Sequence, residues 1–164
     1  MVAAFSYVVP SHQTETHMAD FTHLSKLDVP TEVTKDYEMV QITINGKSPV
    51  LKVLHAGESN KPYFNELLKR GNRNQRQIVA GKITTSLIED NRDENRKLYA
   101  KYVVKGWTDV VDAAGKPAAF TPDTCLEFLE ALPDWLFDQV TTFCSDAMNF
   151  VGETSLDVGE TGNA

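Results

Sequence analysis

The sequence predicts an α+β fold: an N-terminal β-hairpin over about residues 37–55, followed by a mostly α-helical bundle. Alternating apolar residues flank an Asn-Gly pair in the first segment, and apolar residues recur at helical spacing in the later ones. Hydrophobic residues make up 41% of the chain and charged residues 24%, which is ordinary for a globular protein. We therefore expect a packed core without a disulfide or metal support.

The hairpin prediction depends on Asn45 and Gly46, the preferred pair for a type I′ turn, where both central residues need positive φ. Pro49 indicates that the return strand is an edge strand or begins after it, because proline cannot donate a ladder hydrogen bond. The apolar positions that alternate with polar ones on either side of the turn are Val40, Ile42, Ile44, Leu51 and Val53.

The middle of the chain predicts helices. Ser59 or Asn60 is expected to cap the first helix, and Gly71 is expected to interrupt it. The helical pattern then resumes through Ile78, Ile83 and Leu87. Residues 93–107 are expected to form a further helix that starts near Asp93 and ends at Trp107.

A short turn or hairpin is predicted near residues 108–120, followed by two amphipathic helices. Thr121 is expected to cap the first of these helices, and Pro133 is expected to separate it from the second. The positions given structural roles in the turns, caps and core are Asn45, Gly46, Trp107, Asp112, Gly115, Phe120, Thr121, Pro122 and Pro133.

The chain is expected to comprise three parts. Residues 1–20 are polar and irregular and are interpreted as a flexible N-terminal extension, with Met18 as the expected natural start. Residues 21–151 are interpreted as a single α+β domain. Residues 152–164 are small, acidic and glycine-containing, which favours a flexible tail.

Charge is segregated along the chain, whose net charge is −7. Residues 61–106 contain eleven basic and five acidic residues, whereas residues 107–164 contain one basic and eleven acidic residues. Such asymmetry suits head-to-tail contact between copies or contact with a charged partner. The alternative is that the two segments neutralise each other within one fold.

No motif of known chemistry stands out in the sequence. Cys125 and Cys144 are not a closely spaced pair and are interpreted as reduced core thiols. His55 is isolated from any nucleophile or metal-ligand pattern. Residues 91–102 resemble a calcium loop only superficially, because arginine occupies the glycine position and tyrosine the glutamate position. We therefore expect a non-enzymatic protein with no catalytic residue, cofactor or metal.

The order of segments resembles a family of phage proteins. The most specific part is Gly106-Trp107, then Val110-Val111-Asp112, Gly115-Lys116-Pro117 and Phe120, followed by an acidic helix that ends at Leu132-Pro133. Over roughly residues 20–151 the chain is similar to tail assembly chaperones and minor virion proteins of tailed bacteriophages. The N-terminal extension departs from the pattern.

The resemblance implies a role in virion morphogenesis. It implies binding to the tape-measure protein while the tail tube is built in the host cytoplasm, with self-association a further expectation. The alternative it leaves open is a structural protein of the mature virion, held by neighbouring subunits in the tail or head–tail region.

A chaperone for an amphipathic helix needs an exposed apolar surface ringed by charge. A membrane is not an expected partner, because no stretch approaches the roughly 20 apolar residues of a membrane helix. A nucleic acid is not expected either, because the chain is acidic overall and the basic segment lacks interleaved aromatic residues. The candidate partner-binding residues are Trp135, Phe137, Lys69, Arg70, Arg73 and Arg76.

Overall fold

The computed structural model describes residues 21–81 and 85–151. It contains a three-stranded antiparallel sheet and four α-helices, which confirms the α+β prediction. The strands are β1 (Lys35–Glu38), β2 (Val50–Val53) and β3 (Val104–Thr108); the helices are α1 (Lys61–Val79), α2 (Thr85–Leu98), α3 (Pro122–Ala131) and α4 (Asp134–Ser145). Short helical turns are Thr22–Leu27, Tyr99–Val103 and Ala147–Asn149.

The sheet has the order β1-β2-β3, with β2 in the centre. Leu51 of β2 is paired with Tyr37 on one side and with Trp107 on the other. Leu51 and Val53 are fully buried, while Lys52 between them is exposed. One face of the sheet therefore packs on the core and the other faces outward, as alternation predicts.

The Asn45-Gly46 turn forms, but the first strand is not where the sequence places it. Both residues have positive φ, and Ile44 and Lys47 exchange backbone hydrogen bonds across them. The predicted strand from Val40 to Ile44 is wrong, because β1 ends at Glu38. The Met39 N–H bonds to the Pro49 carbonyl at 2.8 Å, but Pro49 has no N–H to return. The Met39 carbonyl instead accepts the Ile42 N–H, so the chain turns away.

The helix predicted over residues 93–107 is also wrong at both ends. Helix α2 already begins at Thr85, and after Leu98 it widens into a π-helical turn over Tyr99–Val103. The chain then becomes strand β3, which contains Trp107. The β-branched pair Val103 and Val104 favours a strand. Pairing with the open edge of β2 therefore overrides the local helical pattern.

Helix α1 runs through Gly71, so the predicted interruption there is wrong. The Asn60 side chain caps the helix by accepting the Tyr63 N–H and also donates to the Tyr102 carbonyl at 2.8 Å. The cap thus fixes the start of α1 against the π-helical turn. Glycine in a helix interior costs about 0.5–1 kcal/mol relative to alanine, which this helix tolerates.

Helices α3 and α4 follow each other with only Leu132 and Pro133 between them. The Thr121 hydroxyl accepts a hydrogen bond from the Thr124 N–H at 3.1 Å, and the Thr124 hydroxyl accepts one from the Thr121 N–H. The two bonds together form a capping box. The buried residues of both helices and of the link between them join the sheet and the π-helical turn in one core: Cys125, Leu129, Leu132, Leu136, Phe137, Val140 and Cys144.

The expectations for residues 1–20 and 152–164, and for Ile83, lie outside the described residues.

Candidate partner-binding surface

Arg96 is a buried charged residue that ties three helices together. Its Nε donates to the Leu129 carbonyl at 3.0 Å, and one Nη donates to the Asp134 carboxylate at 2.7 Å. Its guanidinium also lies 5.0 Å from the centre of the Phe137 ring. Arg96 therefore supplies a donor to the C-terminal end of α3 and a counter-charge to the first turn of α4.

Arg92 makes a second link one helical turn earlier. It contacts the carboxylate of Asp134 at 2.9 Å and that of Asp138 at 3.3 Å. Through Arg92 and Arg96, the basic middle third of the chain meets the acidic last third within one molecule. The alternative of internal neutralisation accounts for this part of the charge segregation.

The outer halves of α1 and α2 form a helical arm, which we define as residues 70–79 and 85–95. The core takes Tyr63 and Leu67 from α1 and Leu98 from α2, and all three lie outside the arm. Among the side chains that the structure describes, polar contacts join the two helices of the arm. Asn74 donates to the Asn91 side chain at 2.6 Å, while Arg70 reaches the Asn91 carbonyl at 3.4 Å.

Two isoleucines lie where the core-facing sides of these helices continue into the arm. Ile78 follows Leu67 by eleven residues, and Ile88 precedes the buried Tyr99 by eleven, so each isoleucine lies on the same helical face as its core residue. Ile78 is nonetheless 51% exposed and Ile88 is 59% exposed. The apolar faces of both helices thus extend beyond the described body of the protein.

Trp135 of α4 is a third exposed apolar side chain. It is 54% exposed and directly follows Asp134, which pairs with Arg92 one turn beyond Ile88. We call the three exposed residues Ile78, Ile88 and Trp135 the apolar underside. Phe137, the other aromatic candidate, is only 1% exposed and packs edge-on against Tyr99. It is a core residue and offers no surface to a partner.

The four basic candidate residues differ in their surroundings. Lys69 pairs with Glu66 and Arg73 pairs with Glu94, both at 2.7 Å, while Arg70 is half-buried in the arm. Arg76 is exposed, and within the described part of the chain it forms no ion pair. Lys69, Arg73 and Arg76 are spaced i, i+4, i+7 on α1, so they form one line that we call the basic row.

The segment from Trp107 to Thr121 is a packed connection. The Trp107 Nε1 donates to the Ala118 carbonyl at 2.8 Å, and its ring meets Phe120 edge-on at 5.0 Å between centres. One carboxylate oxygen of Asp112 accepts the backbone N–H groups of Ala114 and Lys116, each at 2.9 Å. Asp112 therefore acts as a turn residue, and Gly115 supplies the positive φ.

The histidine and cysteine side chains that could take part in catalysis or metal binding do not form a cluster among the described residues. His55 Nδ1 lies 2.8 Å from the Ser59 hydroxyl, and its ring packs on Phe150. Burial raises the pKa of Cys125 to about 12 and also raises the pKa of Cys144 above its ordinary value, so both thiols stay protonated. The described residues contain no group of three His, Cys, Asp or Glu side chains placed to hold a metal ion.

Among the helices that the structure describes, no segment has the length and the apolar composition of a membrane span.

Sequence reasoning missed the roles of Arg92, Arg96, Ile78 and Ile88. The sequence does carry a signal for Arg96, because this residue lies one helical turn before the apolar positions that enter the core at Tyr99 and Ala100. The exposure of the isoleucines has no such signal, since it depends on how far the body of the protein reaches.

A family model described as YdaY prophage protein matches residues 58–160. This covers more than half of the chain, so the chain belongs to the YdaY prophage protein family and is of phage origin. No curated protein and no solved structure is significantly similar to the chain.

Proposed function

We propose that this member of the YdaY prophage family is a non-enzymatic tail assembly chaperone that binds the tape-measure protein during phage morphogenesis. Its phage origin and the resemblance of residues 20–151 to tail assembly chaperones support this role. The observation that carries the proposal is the apolar underside, where apolar faces of two helices project past the core with Ile78 and Ile88 exposed.

The underside suits an amphipathic helix as its ligand. Two neighbouring helices with exposed apolar residues leave a seam, and a third helix that lays its apolar side in this seam removes those residues from water. Trp135 at the rim adds a large aromatic contact of the kind that often dominates binding energy. The hydrophobic tape-measure protein, which the resemblance implies as the partner, is expected to supply such a helix.

The test is co-expression of the chain with the tape-measure protein of the same prophage. The proposal expects the tape-measure protein to stay soluble and to co-purify with the chain. If the tape-measure protein stays insoluble and unbound, the proposal fails. A fragment of the same protein without amphipathic helical segments is the matched control and should not be retained.

The second candidate is a structural protein of the mature virion, in the tail or head–tail region. The separation of a basic face on α1 from an acidic face on α3 favours it, because such faces suit repeated contacts in a particle. Quantitative mass spectrometry of purified virions separates the two roles. A chaperone is scarce or absent in particles, whereas a structural protein is present at a fixed copy number.

A further inference from the structure

Helix α3 has an acidic row that matches the basic row of α1 in spacing. Asp123, Glu127 and Glu130 are spaced i, i+4, i+7, and all three are exposed. Lys69, Arg73 and Arg76 have the same spacing on α1 and are exposed as well. With a rise of about 1.5 Å per residue, each row extends about 10 Å along its helix.

The acidic row is not used within the chain. Among the described residues, none of its three carboxylates forms an ion pair, whereas Asp134 and Asp138 of α4 are both held by Arg92. In the basic row, Arg76 is unpaired within the same ranges, and Lys69 and Arg73 make only solvent-exposed pairs. Exposed pairs contribute little, about 0–1 kcal/mol, so these side chains can exchange partners at low cost.

Within the described residues, no ion pair joins the two rows of one molecule. Helix α2 contacts both helices, α1 through Asn91 and α3 through Arg96. Within the described residues, Arg76 and the acidic row therefore remain open to charged groups from outside the molecule, and Lys69 and Arg73 can exchange their exposed partners for such groups. A second copy of this chain supplies charged groups of both signs.

We propose that copies of this chain associate head to tail, with the basic row of α1 in one copy against the acidic row of α3 in the next. Apolar residues flank the charges on α1, since Leu68 is 52% exposed and Val79 is 82% exposed. Desolvation of these residues adds to the charge attraction. A contact between two different surfaces repeats from copy to copy, so it builds a ring or a filament.

This inference does not depend on the proposed function, because it concerns the purified chain alone and a surface other than the apolar underside. The test measures the molar mass of the chain by light scattering over a range of concentrations and salt. The wild-type chain is expected to exceed the mass of one copy at low salt and to approach it at high salt. A chain that stays monomeric at low salt and high concentration overturns the inference.

Charge reversal identifies the surfaces. We expect Arg73→Glu with Arg76→Glu to give monomers, and Glu127→Lys with Glu130→Lys to do the same. In the chain that carries all four reversals, two of the three charges in each row are exchanged, and this chain should associate again. Circular dichroism and thermal unfolding show whether each variant is folded.

A charge-matched control uses Lys97→Glu with Lys116→Glu, which change exposed lysines outside both rows. This control should associate like the wild-type chain. If the row variants associate as well as the control, the interface lies elsewhere and the inference is wrong. It is equally wrong if the folded four-reversal chain stays monomeric.

Discussion

The guanidinium of Arg96 lies 2.7 Å from the carboxylate of Asp134, and the two groups are very unequal in exposure. The Arg96 side chain is 7% exposed, whereas that of Asp134 is 57% exposed. The pair joins α2 to the first turn of α4 while the rest of Arg96 binds the end of α3. The orientation of the arm and of Trp135 therefore depends on this buried arginine.

Replacement of Arg96 by leucine should lower the free energy of unfolding by about 2–4 kcal/mol, because buried carbonyls that lose their donor cost about 1–3 kcal/mol each. Arg96→Lys should be intermediate, since an ammonium cannot reproduce the forked contacts of a guanidinium. Urea unfolding of both variants measures the effect, with Arg76→Leu as an exposed control. Equal stability of Arg96→Leu and Arg76→Leu would contradict the role given to Arg96.

Stability should fall in acid partly through Asp134. The hydrogen bond from Arg96 holds the pKa of this carboxyl below its ordinary value of 3.8. Its contribution is therefore present above pH 3.8 and is lost as the pH falls through the lowered folded-state pKa. Asp134→Asn should be less stable than wild type near neutral pH, and the difference should shrink in acid. Urea titrations across this range test it, with Glu127→Gln as the control.

Gly71→Ala should raise the free energy of unfolding by about 0.5–1 kcal/mol, because Gly71 is helical and alanine loses less conformational entropy. A Cβ at Gly71 meets no atom within 4 Å. Thermal unfolding gives the direction of the change. Gly115→Ala is the contrasting variant and should destabilise, since Gly115 has a φ of 76°.

Asp112→Ala should destabilise the turn after β3 by about 1 kcal/mol, because two backbone N–H groups lose their shared acceptor. Asp112→Asn keeps an acceptor oxygen and should be close to neutral. Chemical denaturation of both variants is the measurement. If Asp112→Asn lost as much stability as Asp112→Ala, the negative charge of the carboxylate would be what stabilises the turn.

Both thiols should be protected in the folded chain. Cys125 and Cys144 are fully buried, and burial raises the pKa of each, so little reactive thiolate forms. Labelling with a thiol reagent should be slow in buffer and complete at both positions in denaturant. Rapid labelling of the native chain would show that the core around α3 and α4 opens readily.

The sequence carries much of the fold in local signals. The turn at Gly46 and the helix start at Thr121 contain the residue types that these structures require, so both can be predicted from the sequence alone. Strand β3 could not be predicted in this way. Residues Val104–Thr108 follow a helical pattern in the sequence and become a strand because they pair with β2. Pro49 shortens the hairpin because it has no N–H to donate to the Met39 carbonyl. This effect cannot be predicted until the strand register, which places Pro49 opposite Met39, is known.

The candidate surface is less predictable than the fold. Trp135, one of the two aromatic residues predicted to bind a partner, is exposed. Phe137, the other, is buried, because α4 turns that side toward Tyr99 and Arg96. Ile78 and Ile88 have ordinary core spacing, and only the three-dimensional extent of the body leaves them exposed.

The central claim is that the apolar underside binds a helix of the tape-measure protein. The most direct measurement compares capture of that protein by the wild-type chain, by Ile78→Asp with Ile88→Asp, and by Val79→Asp. Val79 is 82% exposed and lies about 100° around the same helix from Ile78, turned further from the core-facing side, so it is the matched control. The account predicts capture by the wild-type and Val79 chains and loss of capture by the folded double variant. Undiminished capture by that double variant would contradict it.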